Sequence, residues 1–518
     1  MSHFMPNIKH IVHVMLENRS FDNLLGWLYE EEEKKNIITA IDPGHPHTFH
    51  GLRPDLFNLD VNGTPQPVIK GTDGDLKIPA WDPHEVFEHV HKQCYTSLTP
   101  GVENPTDNPE MGGFYQDYYG WFENPEDIMK TYTPTDLPVI NGLAKNFAVC
   151  DQWFASIPSQ TNCNRAFAAT GNSIGIDHHT GQQGAWVDNH FDTFDPAKLK
   201  VNFSEPTHWN ILSNQGYHST DDWMIYYNKL WYLSDYCYTR DLFSQIQDSS
   251  FNDHFDHITT FYERAAAGTL PSYSYIEPSW GNMLGPIGIQ GNDYHPPTNV
   301  GPGEEFLYDL YQAISKSPCW KETLFIITFD EHGGTYDHFP IAKNATPPWQ
   351  DGHPAKPNQL ECNFAFDTFG VRVPAIFVSP QIQANTVFRE APGNTPFDHT
   401  SLIATILKWK NIDPATCGLG ARVANAPTFE AVLNATKLRE DTPLITPNDY
   451  ETVAEDEPAN DLQKSVVARA ILHAIKKNQV DEQEAIQHYQ QHVHPADTLA
   501  TLRSGFDLVM KKIHGLEA

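Results

Sequence analysis

The sequence predicts an α/β protein, a three-layer α/β/α sandwich around a large, mostly parallel sheet. Two stretches carry that prediction. Ile11 to Leu16 is apolar apart from His13 and rich in β-branched residues, and Leu324 to Phe329 repeats the design far down the chain. Such runs are buried on both faces, as strands of helix-covered parallel sheets are.

The first strand stops at Glu17-Asn18, and Ser20 or Asp22 can cap a following helix through Leu25 and Trp27. The later strand ends in Asp330-Glu331-His332, where Gly333-Gly334 lets the backbone turn sharply. Open α/β sheets hold their ligands at this carboxyl edge. If the two strands are neighbours, Glu17, Asn18, Asp330 and Glu331 converge. Three carboxylates stay ionised together only beside a cation. The oxygen-rich set suits a hard divalent ion such as calcium or magnesium, and zinc where histidines join.

Between these strands the chain reads as follows. Residues 30–83 form an irregular excursion with a charged helix end at Glu30 to Lys35, a Pro/Gly/His-rich stretch at Asp42 to His50 and a hairpin signal at Asn62-Gly63. Asp82-Pro83-His84 follows, then a helix carrying His84, His89 and His91. Leu137 to Ala144 reads as a short helix, and Phe147 to Trp153 as a core strand. A further helix begins near Thr161, where a hydroxyl sits in the positive field of the helix N-terminus. Arg165 lies one turn on along the same face, able to grip a phosphate bidentately. Residues 172–260 are expected to be a cap-like insertion. Their aromatics Trp209, Trp223, Tyr226, Tyr227 and Trp231 are either core or a cage for a quaternary ammonium. Ser272 to Ile276 is a strand, Asp293 to His295 lies on a glycine-rich loop, and Gly303 to Ser315 is a long helix. Val373 to Val378 is the last core strand, and Asp398 or Thr400 caps a helix over Ser401 to Trp409.

Residues 449–461 are an acidic linker, six of them Asp or Glu. Beyond it, residues 462–518 show two amphipathic helices, one on Val466, Ala470, Ile471, Ala474 and Ile475 and one on Leu499, Leu502, Phe506, Val509 and Ile513. They read as a packing appendage, a dimer contact that would make a homo-oligomer, or a partner hook.

Lys plus Arg is 34 against 66 Asp plus Glu, a net charge of −32. That charge argues against nucleic acid and against attraction to anionic lipid. A zwitterionic or small substrate remains compatible. The seven cysteines show no C-x-x-C spacing, so a cysteine-based zinc module is not expected. No apolar signal segment precedes the first strand, and no apolar run of about 20 residues would span a membrane. The compartment stays open between cytoplasm, export by another route and a signal already removed.

The motifs resemble the bacterial phosphoesterase family, which groups phosphatidylcholine-type phospholipases C with an acid phosphatase A, within the alkaline phosphatase-like superfamily. The resemblance starts at Glu17-Asn18-Arg19-Ser20-Phe21-Asp22, Asp330-Glu331-His332-Gly333-Gly334 and Asp337-His338. It recurs in order at Asp82-Pro83-His84, Met111-Gly112-Gly113-Phe114, Leu137 to Phe154, Asn292 to Pro297, Gly370 to Pro374 and Phe397 to Ser401, spanning residues 8 to about 410. It implies residues 1–448 as a phosphoesterase domain and metal-assisted hydrolysis of a phosphoester, either a choline phospholipid or a small phosphoester. One divalent ion (calcium, zinc or magnesium) is implied at Glu17, Asn18, Thr161, Asp330 and Glu331. Thr161 is the implied nucleophile, forming a phospho-threonine. His84, His295 and His338 are implied to bind the phosphate or protonate the leaving group, with Arg165 beside them. Histidines titrating near pH ~6.5 would favour mildly acidic operation.

A further family histidine corresponds to either His254 or His257. The nucleophile segment departs from the family's G-P-T-x-P-N-R: Ser159 and Gln160 replace Gly-Pro, and Cys163 replaces the second proline, so the loop loses its proline stiffening. A sulfatase of the same superfamily would need cysteine at Thr161, and Cys163 has Phe167 rather than arginine four residues on. Phospholipase C action leads the expectation. Phosphomonoesterase activity is one alternative, and a non-catalytic, metal-stabilised binding protein is the other.

Overall fold

The computed structural model describes all residues except 1–3, 31–32, 34–38, 41–47, 103–107, 178–179, 190–200, 230–234, 281–290, 350–358, 451–458, 479, 495–497 and 516–518. At its centre is a nine-stranded sheet. In chain order its strands are β1 (His10–Leu16), β2 (Thr39–Ala40), β3 (Ala148–Cys150), β4 (Trp223–Tyr227), β5 (Phe255–His257), β6 (Tyr273–Ile276), β7 (Thr323–Phe329), β8 (Ala375–Val378) and β9 (Thr386–Phe388). Across the sheet they run β5-β4-β6-β1-β7-β8-β3-β9-β2. β8 lies antiparallel to both neighbours, and every other pairing is parallel. β1 and β7, the two strands that predicted the fold class, sit side by side in mid-sheet and are buried on both faces. The fold is the expected mostly parallel α/β sandwich.

Helices Pro138–Asn146 and Gly301–Ser315 pack together over one face of the sheet. Thr161–Thr170, His208–Asn214 and His399–Trp409 pack together over the other. Their starts follow local chemistry. The Ser20 hydroxyl accepts the N–H of Asn23 at 3.1 Å and caps the short helix Phe21–Leu25. Asp398 caps His399–Trp409 in a reciprocal arrangement with Ser401, which satisfies N–H groups that a helix end leaves unpaired. The hairpin expected at Asn62-Gly63 joins Phe57–Leu59 to Pro65–Pro67. The run read as one strand over Phe147 to Trp153 divides: β3 stays in the main sheet, whereas Trp153–Phe154 pairs with Phe397–Asp398.

The stretch read as an insertion, residues 172–260, also divides. Ile174–Asp177, Gln183–Ala185 and Val201–Phe203 form a small sheet with Gln359–Leu360, while β4 and β5 extend the main sheet. Its aromatics follow that split. Trp209, Trp223, Tyr226 and Tyr227 are buried in the core, so they form no open cage. Trp231 lies outside the described residues, as do most of the charged helix end at 30–35, the stretch 42–47 and residues 451–458 of the acidic linker.

Among the described residues the tail holds three helices, Asp461–Asn478, Glu482–His492 and Leu499–Ile513. The middle one was not read from sequence, its few apolar residues giving a weak stripe. Val466, Ala470, Ile471, Ala474 and Ile475 are buried within the chain. Arg469 pairs with Asp241 at 2.8 Å, and Asn460 donates to the Pro296 carbonyl at 3.3 Å, so the first tail helix sits against the loop that carries His295. No helix among the described residues is long and apolar enough to cross a membrane.

Candidate active site

β1 and β7 pair with Leu16 opposite Phe329, so Glu17 and Asp330 leave the sheet side by side. Asp330 Oδ1 accepts the N–H of Asn18 at 3.0 Å and that of Glu331 at 2.7 Å, tying the two turns together. Asn18 takes a left-handed φ of 54°, which asparagine tolerates better than most residues. Gly333 passes so close that a Cβ there would lie 1.9 Å from the Asn18 carbonyl oxygen, and its own φ is 61°. Gly333 is therefore a packing requirement of the paired turns, while Gly334 makes room for Pro83 and His84.

Helix Thr161–Thr170 begins at this edge. Thr161 Oγ lies 3.2 Å from Glu17 Oε2 and 3.1 Å from Asn18 Oδ1. Arg165 Nε donates to Glu17 Oε1 at 2.8 Å, Nη2 donates to the same oxygen, and Nη1 donates to the Tyr275 hydroxyl at 2.9 Å. One turn beyond Thr161 the side chain points down at the sheet, so the grip expected on phosphate is a grip on Glu17. The structure thus brings Glu17, Asn18, Thr161, Arg165, Asp330 and Glu331 into one buried cluster.

The histidines divide. His295 is buried beside the cluster, Nε2 3.7 Å from Glu85 Oε1 and Nδ1 3.7 Å from Asp82 Oδ1. His84 precedes helix Phe87–Tyr95 instead of riding on it. Its ring packs 4.0 Å from that of His89, and its Nδ1 lies 3.8 Å from Asp117 Oδ2. The next residue, Glu85, enters the cluster, accepting from Asn18 Nδ2 at 2.7 Å. His338 Nδ1 contacts Asp22 Oδ2 at 2.5 Å, in a hub where Arg372 pairs with Asp22 and Asp337. His254 stacks on Trp223 at 3.7 Å and His257 meets Tyr227 edge-on at 5.3 Å, so both are engaged within the β4–β5 edge of the sheet.

The donor set fits a divalent cation. Burial pushes the Glu17 carboxyl well above the usual carboxylate range and Asp330 beside it pushes the same way, with Arg165 pulling back. Burial and then Asp330 raise Glu331, and burial, Glu331 and Asp82 raise Glu85. Asp330 Oδ2 and Glu331 Oε1 are buried with no hydrogen-bond donor. One guanidinium cannot balance four buried carboxyls, and added positive charge would stabilise them all. Asp82, Glu85 and His295 also form a compact ligand-type group next to it.

The sequence matches the phosphoesterase family over residues 8–413. The chain belongs to that family. It is a phosphoric ester hydrolase, similar to non-specific phospholipase C3 of Arabidopsis thaliana at 31% identity, covering 89% of this chain and 82% of that protein. Non-specific phospholipase C6 of the same plant is 35% identical, over 85% and 75%. Hemolytic phospholipase C of Pseudomonas aeruginosa is 24% identical, over 80% and 55%. Among solved structures, an alkaline phosphatase superfamily protein from Vibrio parahaemolyticus is 15% identical with a TM-score of 0.31, covering 68% of this chain and 82% of that one.

The segment leading into helix Thr161–Thr170 is clamped by Asn164. Asn164 Oδ1 accepts the Ile157 N–H at 3.1 Å, and its Nδ2 donates to the Ser159 carbonyl at 2.8 Å and to those of Ile157 and Gln160 at 3.2 Å. The Ser159 hydroxyl donates to Asp188 at 2.7 Å, and the Tyr238 hydroxyl to Asn162 Oδ1 at 2.8 Å. Asn164→Ala strands a buried N–H and buried carbonyls, and should lower stability by about 1–3 kcal/mol in urea unfolding, with turnover falling too. An unchanged midpoint would show that the loop is held elsewhere. Cys163 is buried with Sγ 3.4 Å from the Asp188 carbonyl oxygen, and burial pushes its thiol well up.

Sequence reasoning missed three polar side chains here. Glu85 sits directly after a histidine that drew attention to itself. His399 Nε2 lies 2.6 Å from the Asp330 carbonyl oxygen and holds the turn from below. Asn164 was legible only as part of a motif, not as the clamp it makes.

Proposed function

We propose that this phosphoesterase is a divalent-metal-dependent phospholipase C-type enzyme, cleaving phosphatidylcholine or a related phosphodiester through a phospho-threonine. The observation that carries the reading is Thr161 Oγ, at a helix N-terminus and within hydrogen-bond reach of Glu17 and Asn18. The similarity to plant proteins named non-specific phospholipases C supports the substrate class.

Bound by Glu17, Asn18, Asp330 and Glu331, a divalent ion supplies Lewis-acid charge beside Thr161. The residues do the rest. Thr161 Oγ attacks phosphorus in line while the bond to the diacylglycerol oxygen breaks, and its proton passes toward Glu17 Oε2. Arg165 is a positioning residue that fixes Glu17 in the orientation needed to receive it. His295, buried beside the cluster, gives a proton to the leaving oxygen. The intermediate carries phosphocholine on Thr161 Oγ; water then cleaves that Thr161–phosphorus ester bond, releasing phosphocholine and restoring the hydroxyl.

A turnover panel of phosphatidylcholine, p-nitrophenyl phosphorylcholine and p-nitrophenyl phosphate tests the substrate class. The two choline diesters should lead. Hydrolysis of the monoester alone would replace this reading with a phosphomonoesterase.

A further inference from the structure

Trp81, Tyr119 and Trp121 are the exposed large aromatics among the described residues, and all three come from one stretch of some forty positions. Trp121 is 66% exposed and Trp81 38%. Ring contacts join the two tryptophans into one face. Trp81 stacks on Phe122 at 6.4 Å with planes 13° apart, and Trp121 stands edge-on to His84 at 5.2 Å. The Tyr118 hydroxyl accepts the Trp81 N–H at 3.1 Å and donates to its carbonyl at 3.2 Å, so the exposed indole is held by a buried anchor.

The same segment reaches the active site. Four residues after Trp81, Glu85 accepts from Asn18, and Asp82 approaches His295. The exposed face and the catalytic cluster are thus the two ends of residues 81–85. Its rim is acidic: Glu123 and Glu126 follow Phe122 and are exposed.

We propose that the Trp81–Trp121 face docks the enzyme on the surface of a choline-phospholipid bilayer, an inference that rests on the phospholipase C reading above. Tryptophan is the side chain that settles at the headgroup level, with an apolar body and a polar N–H. Its ring face attracts a quaternary ammonium. The carboxylate rim complements the outward-facing trimethylammonium groups of a zwitterionic bilayer, whereas anionic headgroups would meet repulsion from the rim and from a chain of net charge −32.

Sedimentation with large unilamellar vesicles tests the surface, using phosphatidylcholine alone in one arm and phosphatidylcholine mixed with phosphatidylglycerol in the other. Trp121→Ala should weaken binding to the pure vesicles about tenfold, the loss expected when one interfacial tryptophan and its cation–π contact go. Adding Trp81→Ala should deepen the loss, Trp121→Phe should recover most of it, and phosphatidylglycerol should weaken binding by the parent. Turnover of soluble p-nitrophenyl phosphorylcholine should stay within about twofold in Trp121→Ala, a rim position away from the reacting atoms. Parent-like vesicle binding by the double variant, no binding by the parent, or a preference for the anionic vesicles would each overturn the surface. Failure of the phospholipase reading looks different: neither choline ester would be turned over, while vesicle binding still followed Trp121.

Discussion

Thr161→Val should abolish catalysis on the best choline ester, lowering kcat by about a thousandfold or more, while Cys163→Ala leaves most of it. Valine keeps the shape and the β-branch of threonine, so helix Thr161–Thr170 and its neighbours stay packed; what goes is one oxygen. That oxygen is the group 3.2 Å from Glu17 Oε2 and 3.1 Å from Asn18 Oδ1, and no other hydroxyl is bonded to either side chain among the described residues. Losses of this size are what deletion of a nucleophile produces, because no remaining group can form the covalent intermediate. The rival nucleophile is Cys163, since thiolates are stronger nucleophiles than alcohols. Its sulfur, however, faces the Asp188 carbonyl, and burial holds it in the thiol form. Thr161→Ser should stay active, because a primary hydroxyl can reach the same oxygens. Acid quench during turnover should leave phosphocholine on Thr161. A phosphocysteine, or a Thr161→Val enzyme that still turns over, would overturn the mechanism.

The fold class was legible because β1 and β7 are buried on both faces and carry no competing helical period. The convergence of Glu17 with Asp330 followed from a single assumption, that the two strands are neighbours, and the register supports it. What the sequence concealed depends on side-chain direction. His84 and Glu85 are adjacent, yet one turns to Asp117 and the other to Asn18, and composition does not say which. His338, implied as a site residue by the resemblance, contacts Asp22 in a hub where Arg372 gathers Asp22 and Asp337, a grouping the motif alone did not reveal. Arg165 was placed on the correct face of its helix, while its partner could not be known before Glu17 was seen beneath it. The aromatics of residues 172–260 drew the quaternary-ammonium reading because they are dense in sequence. β4 then takes three of them into the sheet, and the exposed tryptophans lie elsewhere.

Asp330→Asn separates stability from function at the same site. In the metal-free protein, Glu17, Glu85, Asp330 and Glu331 are four buried carboxyls sharing chiefly one guanidinium. Replacing one of them by its neutral isostere removes like-charge repulsion, and the amide oxygen can still accept the N–H groups of Asn18 and Glu331. The amide nitrogen, in place of Oδ2, lies beside the Glu17 carboxyl, which can accept from it. The chelator-treated variant should therefore melt no lower than the chelator-treated parent. Divalent ions should stabilise the parent and leave the variant unchanged. At about a hundredfold over Kd, binding to the native state raises apparent stability by about 2.7 kcal/mol, and only the parent should show that rise. Activity should follow metal loading: chelation removes it from the parent, a divalent ion restores it, and the variant loses about a thousandfold or more whatever is added. Thermal unfolding with and without chelator reads the first result, and metal analysis of the purified protein reads the second. An Asp330→Asn chain that still gains stability from the ion would mean that Asp330 does not ligate it. One that melts several degrees lower without metal would mean that the carboxyls are held apart well enough in the native turn to make each charge favourable.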